Sequence, residues 1–293
     1  MSAASPAPAS RTGPGRGGLP KGVRKLLRSP HFVVGAILSL AIVGVAILAP
    51  WLAPKDPYFQ DYANVLKPVG TPGFPLGTDQ FGRDMLSRLI HGARISVAVG
   101  AASVGLGMLV GVSMGVVAGY FRRLDRPVMM VVDVLIAFPG ILLAIAIVAA
   151  LGTGLVNVVF AVALFSVPTF ARITRASVLN ARDEEYVSAA RALGARDPRI
   201  IVRAILPNVI SPIVIYASLR LATSILTAAT LSFLGLGAQP PTAEWGAMIS
   251  DARTYLYSAR SLSIIPGVGI FVTVLAFNLI GDGLRDVLDP RSR

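Results

Sequence analysis

Five stretches of this chain, residues 32 to 54, 95 to 121, 134 to 171, 221 to 243 and 261 to 281, contain no Asp, Glu, Lys or Arg. About 20 apolar residues suffice to carry a helix across the hydrocarbon core of a bilayer, so several membrane spans are hard to avoid. With 54% hydrophobic and only 14% charged residues, the chain also has too little charge to cover a soluble surface. The expected fold class is an all-α membrane protein with about six transmembrane helices, near residues 30–53, 95–119, 128–150, 155–171, 209–235 and 262–281. The run from 134 to 171 must be divided, because 38 residues of helix would reach about 57 Å, nearly twice the hydrocarbon thickness. Leu151, Gly152, Thr153 and Gly154 supply the turn.

The net charge of +12 is explained by topology rather than by a nucleic-acid partner. Residues 1–29 carry Arg11, Arg16, Lys21, Arg24, Lys25 and Arg28 with no acid among many Ala, Pro, Ser and Gly. Such a segment buries no core and is expected to be a disordered basic cytoplasmic tail. The first apolar run is too long for a signal-peptide core and reads as an uncleaved anchor. With the amino terminus inside, the inner segments hold 19 Lys and Arg against seven in the outer loops, which satisfies the positive-inside rule. The resulting organisation is a first helix with an extracytoplasmic loop over 30–94, a five-helix core over 95–281 and a cytoplasmic tail over 282–293. Both termini are expected in the cytoplasm.

No cysteine is present and His31 and His91 are the only imidazoles, so disulfides, cysteine nucleophiles and clustered metal sites are excluded or disfavoured. No GxxxxGK[ST] loop occurs, so the chain lacks the usual cradle for ATP. Gly107, Gly111, Gly115 and Gly119, extended by Ser96, Gly100 and Ser103, place small residues on one helical face, a packing signal in membranes. Two charges, Asp133 and Arg220, fall within spans. Embedded charges pair or face an aqueous cavity, so both are expected to face the bundle interior, where they could meet each other.

The stretch from Arg172 to Asn208 carries the most information. Asp183, Glu184 and Glu185 favour a helix amino terminus. Tyr186, Ala189, Ala190 and Leu193 follow on one face, and Gly194 supplies the carboxyl-terminal cap. Asp197 and Pro198 restart a second helix, which Pro207 is expected to end. The pattern resembles a DNA-binding helix-turn-helix, but both ends are tethered within a few residues of lipid, which leaves no room to lie in a major groove. A flat alanine face capped by glycine suits docking into the groove of another protein.

Ser188-Ala189-Ala190-Arg191-Ala192-Leu193-Gly194, followed by Ile205-Leu206-Pro207, resembles the EAA loop of bacterial ABC importer permeases. Ser188 stands where the general motif has glutamate, and Ala204 where it has isoleucine. Further segments resemble the C-type permease subunit of dipeptide, oligopeptide and nickel importers: Leu76-Gly77-Thr78-Asp79 with Gly82-Arg83-Asp84, Ala137-Phe138-Pro139, Leu231 to Gly237, Glu244-Trp245-Gly246, and Gly281 to Asp286. The similarity runs from about residue 30 to 291. It implies a non-enzymatic permease for peptides, nickel chelates or other small solutes. ATP and magnesium would sit on two ATPase subunits, beside a second homologous permease and an extracytoplasmic substrate-binding protein, with no nucleic acid. It further implies that Glu185, Tyr186, Ser188, Ala189, Ala190, Arg191, Leu193, Gly194, Asp197 and Pro207 form the ATPase-coupling loop. Glu244, Trp245, Asp251 and Arg253 are candidate contacts for the binding protein, with a purely structural lid as the other reading. An ion-coupled secondary transporter and a membrane-tethered DNA-binding regulator are the competing functions.

Overall fold

The computed structural model describes residues 26–288. The expected disordered tail therefore lies, for residues 1–25, outside the described residues, as do residues 289–293. Helix α1 (Pro30–Ile47) is started by the Ser29 side chain, which accepts from the Phe32 amide, with Pro30 as first helical residue. A single turn, α2 (Ala49–Leu52), leads to an irregular segment that runs to Asp84. Helix α3 (Met85–Tyr120) begins where the Asp84 carboxylate accepts from the amide and hydroxyl of Ser87. At 36 residues it is about 54 Å long, so it outruns the hydrocarbon and projects beyond it.

The expected straight span over 128–150 is two helices, α4 (Arg122–Ala137) and α5 (Gly140–Leu151), which meet at 92°. Pro139 supplies the reason. A residue before proline is pushed out of the helical region, and Phe138 is extended at φ −92°, ψ 135°. The Phe165 ring sits so close to Gly140 that an added Cβ would lie 1.7 Å from its Cε2. The turn into α6 (Leu155–Arg182) falls at the expected place, with Gly152 and Gly154 at φ +95° and +138°.

Beyond α6 come two short helices, α7 (Glu185–Ala192) and α8 (Asp197–Ile200), a π turn over Ile201–Ile205, and α9 (Leu206–Phe233). Helix α10 (Trp245–Asp251) leads to α11 (Ser261–Leu288). The last span runs on as helix through the start of the expected tail. Five helices are long and apolar enough to cross a membrane, and the bent pair brings the count to six among the described residues.

The glycine stripe forms the seam between α3 and α6. An added Cβ would lie 2.8 Å from the Ala163 carbonyl at Gly107, 2.6 Å from the Val167 carbonyl at Gly111, 2.6 Å from the Ala171 carbonyl at Gly115 and 3.0 Å from the Arg175 carbonyl at Gly119. Backbone therefore packs on backbone for more than three turns. A similar approach joins α1 to α11, where Gly35 meets Ile280 and Gly283 meets Phe32. Gly111→Val should force the seam apart and cost at least the ~1–3 kcal/mol of an overpacked core, read as a lowered thermal midpoint in detergent. The same change at Gly105, which has nothing within 4 Å, should leave the midpoint nearly unchanged.

Candidate functional site

Residues 183 to 205 form an elbow that joins α6 to α9. Glu184, in extended conformation, precedes α7, and Glu185 is its first residue. The helix ends as a Schellman motif. The amide of Ala195 donates to the Ala190 carbonyl at 3.1 Å and that of Gly194 to Arg191 at 3.0 Å, with Gly194 at φ +81°. That backbone conformation is readily available only to glycine. Nothing lies within 4 Å of a Cβ placed there, so the glycine is required by the turn and not by crowding.

Helix α8 begins at Asp197 itself, one residue earlier than expected, with Arg196 in the cap position. Pro207 does not end this helix. The π turn absorbs the proline's missing N–H, with the Leu206 amide donating five residues back to Ile201, and the chain continues as α9 with Pro207 in its first turn. Helices α8 and α9 thus make one continuous rod from Asp197 to Phe233.

Val187, Ile200, Ile205 and Val209 are buried against Tyr120, Phe170 and Val178, and each fully buried aliphatic side chain contributes about 1.5–3 kcal/mol. The four residues expected on one face are split. Ala190 turns toward this core beside Val187, while Tyr186, Ala189 and Leu193 point outward, Leu193 with 88% of its surface exposed. Ser188, Arg191, Gly194 and Asp197 are exposed too, and Val202 extends the apolar face along the rod.

Polar contacts fasten the elbow to the end of α3 and the last turns of α6 to α3 and α4. The Tyr120 hydroxyl donates to Asp197 at 2.6 Å and accepts from Arg191 at 3.4 Å. Arg182 donates to the Gly119 carbonyl at 2.9 Å. Arg175 makes a two-pronged pair with Asp125 at 2.5 and 2.7 Å, and Arg172 pairs with Asp133 at 2.7 Å. Beside the elbow, Tyr186, Glu184, Ser177, Asn180 and Asn208 line an open cleft of about 380 Å³.

Residues 107–293 match the family of binding-protein-dependent transport system inner membrane components, and residues 22–68 match the N-terminal transmembrane domain of oligopeptide transport permease C. The chain belongs to this permease family. It is 48% identical to the glutathione transport system permease protein GsiD of Pectobacterium atrosepticum, over 92% of this chain and 89% of that one. The Escherichia coli protein of the same name is 47% identical over the same shares. Among solved structures it resembles the MetNI methionine ABC transporter (TM-score 0.57, 22% identity, 69% of this chain and 97% of that one). It also resembles an amino acid ABC transporter (TM-score 0.52, 20% identity, 67% and 91%).

The permease is a multi-pass inner membrane protein, and its family is a transport component. Of the outer residues singled out from sequence, two are structural. Glu244 is 2% exposed, accepts from the Ala247 amide at the start of α10, and takes a bond from Ser96. Trp245 is 3% exposed, donates to the Leu89 carbonyl at 3.0 Å and packs on Gly92 and Gly269. Neither can touch a docked protein without unpacking. Asp251 is partly buried near Arg83, and burial raises its carboxyl while Arg83 and Arg88 oppose the shift. Arg253 is exposed.

Asp133 and Arg220 do not meet, and of the two only Arg220 faces the bundle interior as expected. Asp133 is exposed and held by Arg172. Arg220 is buried inside the bundle, where it donates to Ser166 at 2.9 Å and stacks on Phe165. Sequence reading also missed Tyr120, the residue that clasps the elbow, because a lone tyrosine at a helix end carries no motif. Tyr120→Phe should loosen the clasp. A hydrogen bond to a charged group is worth ~1.5–3 kcal/mol, so amide exchange over 185–205 should accelerate about tenfold or more while the spans stay protected.

Proposed function

We propose that the permease forms half of the channel of an ATP-driven importer for peptide-class cargo, with the elbow as the piece that a separate ATPase subunit grips. The observation that carries this reading is the outward face of Tyr186, Ala189, Leu193 and Val202 on a segment that is otherwise firmly packed. Small and apolar groups held on a rigid two-span mount suit a groove in another protein. A flexible solvated loop would have neither the Schellman cap nor the buried anchors. The family match favours this reading over an ion-coupled carrier or a tethered DNA-binding regulator.

ATP and magnesium would be held by two partner ATPase subunits, since this chain has no phosphate loop. A second permease would complete the channel, and an extracytoplasmic binding protein would deliver cargo. The segment from 172 to 207, which contains the elbow and carries seven Arg against four acids, would lie on the cytoplasmic side by the positive-inside rule, together with both termini. Peptide-class cargo rests on the glutathione transport relatives and on the match to the oligopeptide permease domain. ATP-driven closure of the ATPases would then move both elbows and rock the spans between inward-open and outward-open states.

Gly194→Val tests the reading. A β-branched residue at φ +81° is strained by ~1–2 kcal/mol or more, enough to unwind the cap without touching the spans. Membrane insertion should persist, while copurification of ATPase subunits and ATP-dependent uptake in proteoliposomes should fall at least tenfold. Normal copurification and uptake would remove the elbow from the coupling path.

A further inference from the structure

Arg220 is the one guanidinium at span depth that no carboxylate neutralises among the described residues. Elsewhere in the chain Arg175, Arg172 and Arg83 are each paired with a carboxylate, on Asp125, Asp133 and Asp79. Arg220 is only 9% exposed. Its Nε is used by Ser166 and its Nη1 by Thr223 at 3.3 Å, but Nη2 is buried with no acceptor. A buried, unpaired cation in a membrane bundle is expensive and marks a site by default.

Two independent features surround it. Its guanidinium lies 4.3 Å from the centre of the Phe165 ring, and the edge of that same ring meets Gly140, the first residue of α5. No side chain caps α5, so its first amides are free donors at the positive end of a helix, inside a broken span. Irregular backbone at membrane depth is tolerated only where it is buried in protein or lines a water-filled cavity. In addition, Thr223, Thr227 and Thr230 continue from Arg220 along one face of α9, Thr223 exposed and the others half-buried. Each hydroxyl donates back into its own helix, which leaves the lone pairs of Thr227 and Thr230 as acceptors, while Thr223 also accepts from Arg220. Arg220 to Thr230 spans about 15 Å along the axis, the length of a short extended peptide at ~3.5 Å per residue.

We propose that Arg220, with the uncapped start of α5 across the Phe165 ring, forms an anion subsite within the bundle that takes a carboxylate of the cargo, while the threonine face accepts its N–H groups. This assignment rests on the importer reading above. It gives the membrane subunit a part in selecting acidic or free-acid peptides, a task otherwise left to the soluble receptor.

A tethered carboxylate tests the subsite without any knowledge of the cargo. In the assembled importer, Thr223→Asp should raise the thermal midpoint by about 3 °C or more relative to Thr223→Asn, and Arg220→Gln should abolish that difference. If Thr223→Asp is no more stable than Thr223→Asn with Arg220 intact, no vacant anion site exists there and the proposal falls. The same would follow if an acid of the partner permease already filled it.

Uptake then tests the occupant, with labelled glutathione and dialanine as probes and rates normalised to copurified ATPase. Arg220→Gln should lower uptake at least tenfold, and Arg220→Lys should recover a substantial part. Equal loss in both variants would indicate a purely structural arginine, and wild-type rates in Arg220→Gln would refute a role in transport. Should the wild-type importer carry neither probe, the peptide-class reading fails, and the melting comparison still decides the anion site.

Discussion

The bundle depends on the contact of bare backbone with bare backbone along α3 and α6. Lipid offers no hydrophobic drive between helices, so association rests on many small dispersion contacts that fall off steeply with distance. Four glycines, each of which would bring a Cβ to within 3.0 Å of α6, bring the two axes close enough for those contacts to accumulate. Everything near the elbow hangs from this seam, since α3 ends at Tyr120 and α6 ends where the elbow begins.

The elbow is stiff on both sides. On one side it follows α6, anchored to α3 and α4 through Arg175 and Arg182. On the other side α8, the π turn and α9 are continuous helix, joined to α7 by the capped turn over residues 193–196. Tyr120 joins the two sides by bonding Asp197 and Arg191 at once.

Much of this was legible in the sequence because it follows from local rules. Charge-free runs set the spans, the four-residue spacing of glycine set the seam, and Gly194 set the end of α7. The failures occurred where a local rule met a tertiary one. Pro207 signals a helix end, but a π turn accommodated it. Pro139 lay inside a run uniformly apolar enough to look continuous, and the bend became visible only with Phe165 packed against Gly140. Ala190 shares a helical face with Ala189 on a helical wheel, yet the position of Val187 decides which edge is buried. Glu244 and Trp245 looked like surface recognition groups by residue type, whereas the acid caps a helix and the indole fills the space beside Gly92 and Gly269.

The distribution of constraint also indicates where the bundle can change shape. At the end of α3 away from the elbow, Trp245, Glu244 and the buried Asp79–Arg83–Arg88 cluster lock α10 and the preceding loop to α3. At the elbow end the Tyr120 clasp does the same. The bent span is held far less: Val132 is the sole buried residue of α4, and Ala144 and Val148 are those of α5. Its 92° corner has few backbone bonds to break on reopening, because Pro139 has no amide to give. Arg220 and Phe165 link α9 to that corner, since the guanidinium lies over the ring and the edge of the ring meets Gly140.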